Sequence, residues 1–392
     1  MSAVRDRLRD APLPREAEAA ARSWPVVEAA LAERSPSARR RRLPMKLVLG
    51  GTLICLALAT VLSPAGAWIG DRFEKKEPAR AKPAFAALPP GGSVLALTRT
   101  GAYAVRPDGS ARGLGAFSEV GWSPHGWHAV GVDGRRLVAV TPTGTTKWTL
   151  ARRGALHHPA WSLGDGFFVA YLETVRSGAT LRVVDGKGNP ATNRLLRRRA
   201  APVTPAWRHG RGYVLTYASA SGAIETLDVI TGRPLWRARV GAPVRDLAWT
   251  RRGRRVVALT SHVVTVMDRQ GHVLRTVRLP GVGGELALHP SGRSAAVVVG
   301  GGSGAGGGAG DGGAARLLEV PLGGGPAKVL FQGNVDGIAW SQDGRWLLVG
   351  WRGAGQWLLL GPHGRIRPLH GVTTELGAKG GFPRVAGWCC AD

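Results

Sequence analysis

The residues of this chain whose types and spacing could do chemistry are a pair of cysteines and a pair of histidines. Cys389 and Cys390 are adjacent, and outside a reducing compartment such a pair can oxidise to a vicinal disulfide. His157 and His158 could ligate a metal, but no third ligand follows at a zinc-type spacing. We therefore predict no metal, no bound cofactor and no catalytic residue, and we expect the chain not to be an enzyme.

Three groups of arginines could bind an anion, because planar guanidinium groups pair bidentately with carboxylate and phosphate. The predicted anion-binding residues are Arg135, Arg136, Arg152, Arg153, Arg197, Arg198 and Arg199. The alternative interpretation is a solvated basic surface that reflects arginine-rich coding. The sequence leaves both open.

A glycine-rich run at residues 300–313 looks superficially like a phosphate-cradling loop. A P-loop needs a lysine followed by Ser or Thr and then a helix, and the run lacks these. We predict a flexible insertion between two strands.

Composition sets the broad class of protein. The 392 residues include 53 Lys and Arg against 26 Asp and Glu, a formal net charge of +27. With 44% hydrophobic residues, the chain can bury a large core. The positive charge permits anionic partners without specifying one, and we predict no nucleic-acid partner. Three cysteines are too few for a disulfide scaffold.

Three segments precede the globular region. Residues 1–46 form a basic tail, with short amphipathic helices around Trp24 that could engage a cytoplasmic partner; a disordered tail is the alternative. Residues 47–70 carry no charge and are long enough to span lipid as a single helix. Residues 71–91 read as a polar linker.

The residues beside the apolar segment 47–70 predict how the chain is oriented across the membrane. Arg39 to Arg42 lie closest to the apolar segment, which favours a cytoplasmic N-terminus and a propeller region outside the cytoplasm. The alternative is a signal peptide cleaved after Ala67, although the preceding basic region is far longer than a signal peptide has. Cys55 lies in the middle of the segment, which disfavours a lipoprotein signal. We predict a single-pass cell-membrane protein.

A repeated phrase organises the rest of the chain. V-G-W-S-P-H-G recurs in variants at intervals of about 40 to 50 residues, which indicates a repeat architecture. Short apolar strands separated by glycine turns follow each phrase, and their continuous hydrophobicity predicts sheets covered on both faces. The tryptophans are expected to pack between sheets. The structural repeat positions are Trp122, Trp161, Trp207, Trp249, Leu288, Trp340 and Trp388.

The two ends of this region are complementary. Trp388 begins a phrase that stops at Asp392, whereas Gly92 begins one that lacks its opening. Joined together, they complete one repeat. The repeat and its matching ends therefore predict that residues 92–392 form an all-β, seven-bladed β-propeller. Six blades are continuous, and one composite blade closes the ring.

The phrases W-S-P-H-G, W-S-Q-D-G-R and H-P-S-G-R resemble the repeat signature of WD40-like and TolB-type β-propellers. T-G-R-P-L-W, ending at Trp236, is similar to quinoprotein-like repeats. The resemblance covers residues 92–392, although the Gly-His and Trp-Asp dipeptides of true WD40 repeats are missing. In related propellers the blade-joining loops share one face with the loops between second and third strands. That order would place the seven arginines on one face and Arg251, Arg252, Arg254 and Arg255 on the other.

These patterns predict a non-enzymatic, membrane-tethered propeller that binds another envelope protein or an anionic envelope polymer. One alternative is a transmembrane regulator whose helices near Trp24 engage a cytoplasmic partner, as membrane-bound anti-sigma regulators do. A second is a quinone-dependent dehydrogenase, since such propellers resemble this chain and carry a vicinal disulfide beside their cofactor. The count of seven blades disfavours that enzyme.

Overall fold

A ring of β-sheets makes up the computed structural model. The residues that it describes are 85, 88–162, 168–189, 198–210, 213–300, 315–377 and 381–390. Within these ranges, 28 strands form seven sheets of four antiparallel strands each. The first strands of neighbouring sheets contact one another in an unbroken circle. The predicted all-β, seven-bladed propeller is confirmed.

The strands of each blade are named from the axis outward. Blade 1 is β28 (Arg384–Cys389), β1 (Ser93–Thr98), β2 (Gly101–Val105) and β3 (Ala111–Gly115). Blade 2 is β4 (Glu119–Trp122), β5 (Ala129–Asp133), β6 (Arg136–Val140) and β7 (Thr146–Ala151). Blade 3 is β8 (Ala155–Trp161), β9 (Phe168–Val175), β10 (Gly178–Asp185) and β11 (Arg198–Arg199). Blade 4 is β12 (Ala206–Trp207), β13 (Val214–Ala218), β14 (Ala223–Asp228) and β15 (Pro234–Arg239).

The remaining blades follow the same order. Blade 5 is β16 (Val244–Trp249), β17 (Val256–Thr260), β18 (Val263–Met267) and β19 (Val273–Arg278). Blade 6 is β20 (Gly283–Leu288), β21 (Ser294–Val299), β22 (Arg316–Pro321) and β23 (Lys328–Gln332). Blade 7 is β24 (Val335–Trp340), β25 (Leu347–Trp351), β26 (Gln356–Leu360) and β27 (Ile366–Leu369). A short helix, α1 (Val372–Gly377), leads from blade 7 to the closing strand.

The two ends of the propeller sequence meet in blade 1. β28 pairs antiparallel with β1, and the register sets Val94 opposite Trp388 and Leu97 opposite Arg384. β28 also contacts the first strands of blades 7 and 2. The composite closing blade is therefore confirmed, and it covers the edge that β1 would otherwise expose.

Burial changes from the middle of each blade to its rim. The second strands β17 and β21 are buried at every position, because a neighbouring blade covers each face. The outer strand β19 has the sequence V-L-R-T-V-R and is almost entirely exposed. Its arginines keep that edge from pairing with another chain. The core accordingly lies between blades, as where Leu259 of blade 5 packs with Val297 of blade 6.

The repeat-position tryptophans reach from one blade to the one before it. The indole nitrogen of Trp207 donates to the carbonyl of Ala160 at 2.9 Å. That of Trp249 donates to Thr216 Oγ1 at 2.9 Å. Trp161, Trp207 and Trp249 are buried, whereas the other repeat-position residues, Trp122, Leu288, Trp340 and Trp388, are half-buried.

A tight turn follows the first strand in most blades. The glycine that ends the repeated phrase lies in this turn. The glycine N–H bonds back three residues, as from Gly253 to the carbonyl of Thr250 at 2.7 Å. A Cβ on Gly253 would lie 2.2 Å from the carbonyl oxygen of His209 in the preceding turn. The glycines with this left-handed conformation are Gly126, Gly253, Gly292 and Gly344. Consecutive turns are thus closely packed around the axis.

Part of the predicted linker packs into the propeller. Phe85 and Leu88 are buried in the core of blades 1 and 7, and the Phe85 ring lies 5.5 Å from that of Trp357. The tail 1–46, the apolar segment 47–70 and residues 301–313 of the glycine run are outside the described residues. Among the residues that are described, none of the helices is long and apolar enough to cross a bilayer.

Candidate functional site: an axial cavity

The first strands end around a cavity on the propeller axis. Its volume is about 710 Å³, and six of the seven blades contribute to its lining. The contributing parts are the ends of the first strands and the turns that follow them. The corresponding turn of blade 3, residues 163–167, is outside the described residues. The repeated phrase therefore builds the cavity from segments far apart in sequence.

About half of the cavity wall is apolar, and much of that apolar half is aromatic. Four residues at repeat positions line it: Trp249, Leu288, Trp340 and Trp388. The indole nitrogen of Trp340 is used in blade packing, because it donates to the carbonyl of Ala287 at 3.2 Å. The indole nitrogen of Trp388 is buried and has no hydrogen-bond partner among the described residues. Large indole faces favour an apolar or aromatic ligand body.

Arg251 brings a permanent positive charge to the cavity. It lies in the first turn of blade 5, and its Nη1 donates to the backbone carbonyl of Gln342 in blade 7 at 3.1 Å. The side chain therefore crosses the mouth of the cavity past blade 6. None of the described residues that line the cavity is an aspartate or glutamate.

Two of the three histidines at the cavity are constrained, one by burial and one by hydrogen bonds. Burial, with a contribution from the nearby Arg251 charge, lowers the pKa of His209 to about 4. His289 accepts a bond from the backbone N–H of Ser291 at Nδ1, so its Nε2 carries the proton and donates to the carbonyl of Gly344 at 3.0 Å. At neutral pH Arg251 is thus the one fixed charge among the described lining residues. The third histidine, His125, is exposed at the rim.

Cys389 and Cys390 lie in the cavity wall, where β28 ends. Their sulfur atoms are joined to each other. The sulfur of Cys390 is 3.1 Å from the carbonyl oxygen of Pro124, in the first turn of blade 2. The predicted vicinal pair therefore lies where the closing strand meets the next blade.

A second polar feature surrounds the axis at the other end of the first strands. Three or four residues before the repeat position, each blade places a polar side chain, and we call these seven residues the polar ring. Their contacts run from one blade to the next, as from Thr204 Oγ1 to His158 Nδ1 at 3.2 Å. The polar ring comprises Glu119, His158, Thr204, Asp246, Glu285, Asp336 and Arg384.

Burial controls the ionisation of the polar ring. It raises the pKa of Asp246 to about 7, against the hydrogen bond that this carboxylate accepts from Leu286 N–H. Burial also raises the pKa of Glu285, and the charge of Glu285 raises that of Arg384. Sequence reasoning missed this ring. Its signal was a polar residue three or four positions before each repeat position.

Of the predicted histidine pair, His158 belongs to this ring and His157 contacts its member Glu119. His157 Nδ1 lies 3.1 Å from Glu119 Oε1, and the backbone N–H of His158 donates to Glu119 Oε2 at 2.6 Å. Burial lowers the pKa of His158. In the part of the chain that the structure describes, no three His, Cys, Asp or Glu side chains are grouped to hold a metal.

The predicted anion-binding arginines that the structure describes lie in the turns around Arg135 and Arg152 and in the outer strand β11. The turns of Arg135 and Arg152 are adjacent, because Arg152 N–H donates to the Arg135 carbonyl at 2.9 Å. Three side chains have protein partners: Arg136 pairs with Asp133, Arg152 Nε donates to Tyr171 Oη, and Arg199 Nη1 donates to the Ser177 carbonyl. Arg135, Arg153 and Arg198 are exposed, and Arg197 is outside the described residues.

Comparison with known proteins agrees with the fold. No family model matches the chain, and no curated protein matches its sequence. Among solved structures, it is similar to a candidate 6-phosphogluconolactonase from Bacteroides uniformis, with a TM-score of 0.51 and 17% identity over 72% of this chain and 96% of that one. It is also similar to Hsv2 from Kluyveromyces lactis, with a TM-score of 0.51 and 13% identity over 68% of this chain and 89% of that one. At such low identity, these likenesses show the β-propeller fold alone.

Proposed function

We propose that this protein is a membrane-tethered propeller that acts outside the cytoplasm as a binding module and takes its ligand at the axial cavity. The observation that supports this proposal is the cavity itself. Its volume of about 710 Å³ is in the usual range of small-molecule sites. Aromatic side chains and polar groups line it together, and such sites combine both.

The scaffold holds the polar groups of the cavity in place. Nδ1 of His289 accepts a bond within its own turn, and Nε2 bonds to the Gly344 carbonyl in the next turn. The guanidinium of Arg251 bridges two blades. Groups fixed by the scaffold in this way bind a ligand without first having to be ordered, which favours affinity.

The tether and the location outside the cytoplasm rest on the sequence of residues 47–70 and the basic residues before it. The test is protease added to intact, wall-stripped cells. The proposal expects the propeller to be degraded while the tail 1–46 is protected. A propeller that is degraded only after lysis would contradict it.

We propose the exposed arginines as a second contact surface, for an anionic envelope polymer or an acidic envelope protein. Its support is the adjacency of the Arg135 and Arg152 turns. The regulator alternative is tested by crosslinking from Trp24, with capture of a transcription factor as its expected result. The dehydrogenase alternative is tested by adding quinone and calcium and measuring dye reduction.

The axial site is tested with a cavity-filling variant and a matched control. Gln342→Trp places an indole at the mouth of the cavity, whereas Gln270→Trp places one in an exposed turn away from the lining. Full-length protein with each change is incubated with envelope extract, and retained compounds are identified by mass spectrometry. We expect the unmodified protein and Gln270→Trp to retain the same compound and Gln342→Trp to lose it. Equal retention by all three would contradict an axial site.

A further inference from the structure

We propose that the axial cavity binds a small organic monoanion, a carboxylate on a flat apolar body, with Arg251 as the anion-binding residue. This inference rests on the proposed function and names the class of ligand for the same site.

The charge of the cavity sets the charge of the ligand. Among the described residues that line the cavity, Arg251 is the one permanent cation, and none is acidic. Burial keeps His209 neutral at neutral pH. The one permanent positive charge among these residues matches one negative charge on a ligand.

The guanidinium of Arg251 is held in place with donors to spare. One nitrogen, Nη1, is bound to the Gln342 carbonyl at 3.1 Å. The other two, Nη2 and Nε, have no protein partner in the described part of the chain. Those two nitrogens form one side of the planar fork, which is the geometry that binds a carboxylate through two parallel hydrogen bonds.

The wall selects the rest of the ligand. Trp249, Trp340 and Trp388 present indole surface to the cavity. Stacked or edge-on aromatic contacts add to the stabilisation from area burial. A fused two-ring acid fits a cavity of about 710 Å³.

The single charge of Arg251 also favours a carboxylate over a phosphate monoester as the anionic group of the ligand. A phosphate dianion would meet one guanidinium and retain a second charge beside the tryptophans of the wall, which is costly. The carboxylate could belong to a free acid or to the C-terminus of a peptide, and both offer the same fork-binding group to Arg251.

The test compares three probes that share a naphthyl group and differ in charge, together with one peptide. The probes are 2-naphthoate, neutral 2-naphthylmethanol, 2-naphthyl phosphate and a tripeptide that ends in Trp, the last to distinguish a peptide terminus from a free acid. Binding to the purified full-length chain is measured by tryptophan fluorescence and calorimetry. Arg251→Gln removes the charge at the cavity, and Arg254→Gln removes an exposed charge from the same turn.

We expect 2-naphthoate to bind at least about tenfold more tightly than 2-naphthylmethanol, since a charge-assisted pair contributes more than 1.4 kcal/mol. Arg251→Gln should abolish that difference and leave binding of the alcohol unchanged, whereas Arg254→Gln should keep it. Equal melting temperatures for the two variants exclude a folding defect.

Two other outcomes distinguish a wrong ligand class from a wrong binding site. If acid and alcohol bind equally and Gln342→Trp blocks both, the ligand class is wrong and the axial site stands. If no probe binds, or binding survives Gln342→Trp, both the ligand class and the axial site are overturned. Tighter binding of the phosphate than of the acid would also overturn the monoanion.

Discussion

Arg384 Nη2 lies 3.4 Å from Glu285 Oε2, which joins the closing strand β28 to blade 6. Arg384 Nε is also 3.8 Å from Asp336 Oδ1 in blade 7. One guanidinium therefore connects the last strand of the chain to the two blades before it. Removing this cation leaves the carboxylate of Glu285, which is 26% exposed, without its ion pair, whereas Asp336 keeps its pair with Arg352 Nε at 3.1 Å.

Arg384→Met should lower the free energy of unfolding by about 1 to 3 kcal/mol, less than for a fully buried pair because Arg384 itself is 45% exposed. Urea unfolding measures the change. The control is Arg345→Met, which removes an exposed pair with Asp343 and should cost under about 0.5 kcal/mol. Equal effects would show that the Arg384 contacts do not stabilise closure.

A chain that ends at Arg384 should lose its ring closure. The truncation deletes the residues of β28 that pair with Ser93 to Ala96 and exposes the edge of β1. We expect the melting temperature to fall by roughly 10 °C or more. The matched control ends at Cys390 and keeps all of β28, so it should melt like the intact chain. An unchanged melting temperature for the shorter chain would refute closure by the termini.

Asp246 should make stability depend on pH in the direction opposite to that of an ion-paired carboxylate. Its pKa is raised by burial from 3.8 to about 7, so the folded state holds the proton more tightly than the unfolded state. The stability contribution of the protonated group is fully present below about pH 4. It declines as pH rises from about 4 to 7 and stays low above that.

Asp246→Asn remains neutral throughout, so we expect it to exceed the unmodified protein in stability by about 1 to 3 kcal/mol at pH 8. The difference should shrink toward pH 4, as followed by urea unfolding across that range. Asp108 serves as the control. Hydrogen bonds from Ser110 lower its pKa, so its contribution to stability depends on pH in the opposite direction. A stability difference for Asp246→Asn that does not change with pH would contradict the prediction.

The arginine surface is tested best with the side chains that the protein does not itself use. Replacing Arg135, Arg153 and Arg198 with serine should reduce retention on anionic cell-wall material by about tenfold, and added salt should reduce retention of the unmodified protein. The control replaces Arg252, Arg254 and Arg255, which removes the same charge from the first turn of blade 5. If both triple variants lose retention equally, binding reflects net charge and not this surface.

The fold could be predicted from sequence because its signals are local. The turn around Gly126, the apolar run of β5 and the turn at Gly134 each follow from a few neighbouring residues. Repetition multiplies that signal, and the complementary ends at Gly92 and Trp388 revealed the composite blade. Local backbone preference and continuous burial suffice for such an inference.

The axial site could be predicted only in part. The repeat tryptophans were recognised as packing residues, but their place in a cavity wall depends on how seven first strands converge. The polar ring was present in the sequence as a polar residue three or four positions before each repeat position. It was overlooked because Asp246 and Arg384 acquire a meaning only once their blades become neighbours in space.

The sequence by itself thus determined the repeat, the strands, the number of blades and the strand that closes the ring, because these depend on residues close in the chain or on matching ends. The tertiary structure decided which side chains share an environment. Arg251 binds the Gln342 carbonyl across the axis, and His209 is neutral because burial and that arginine act on it together. Such properties depend on distances between residues of different blades, and only the folded ring sets those distances.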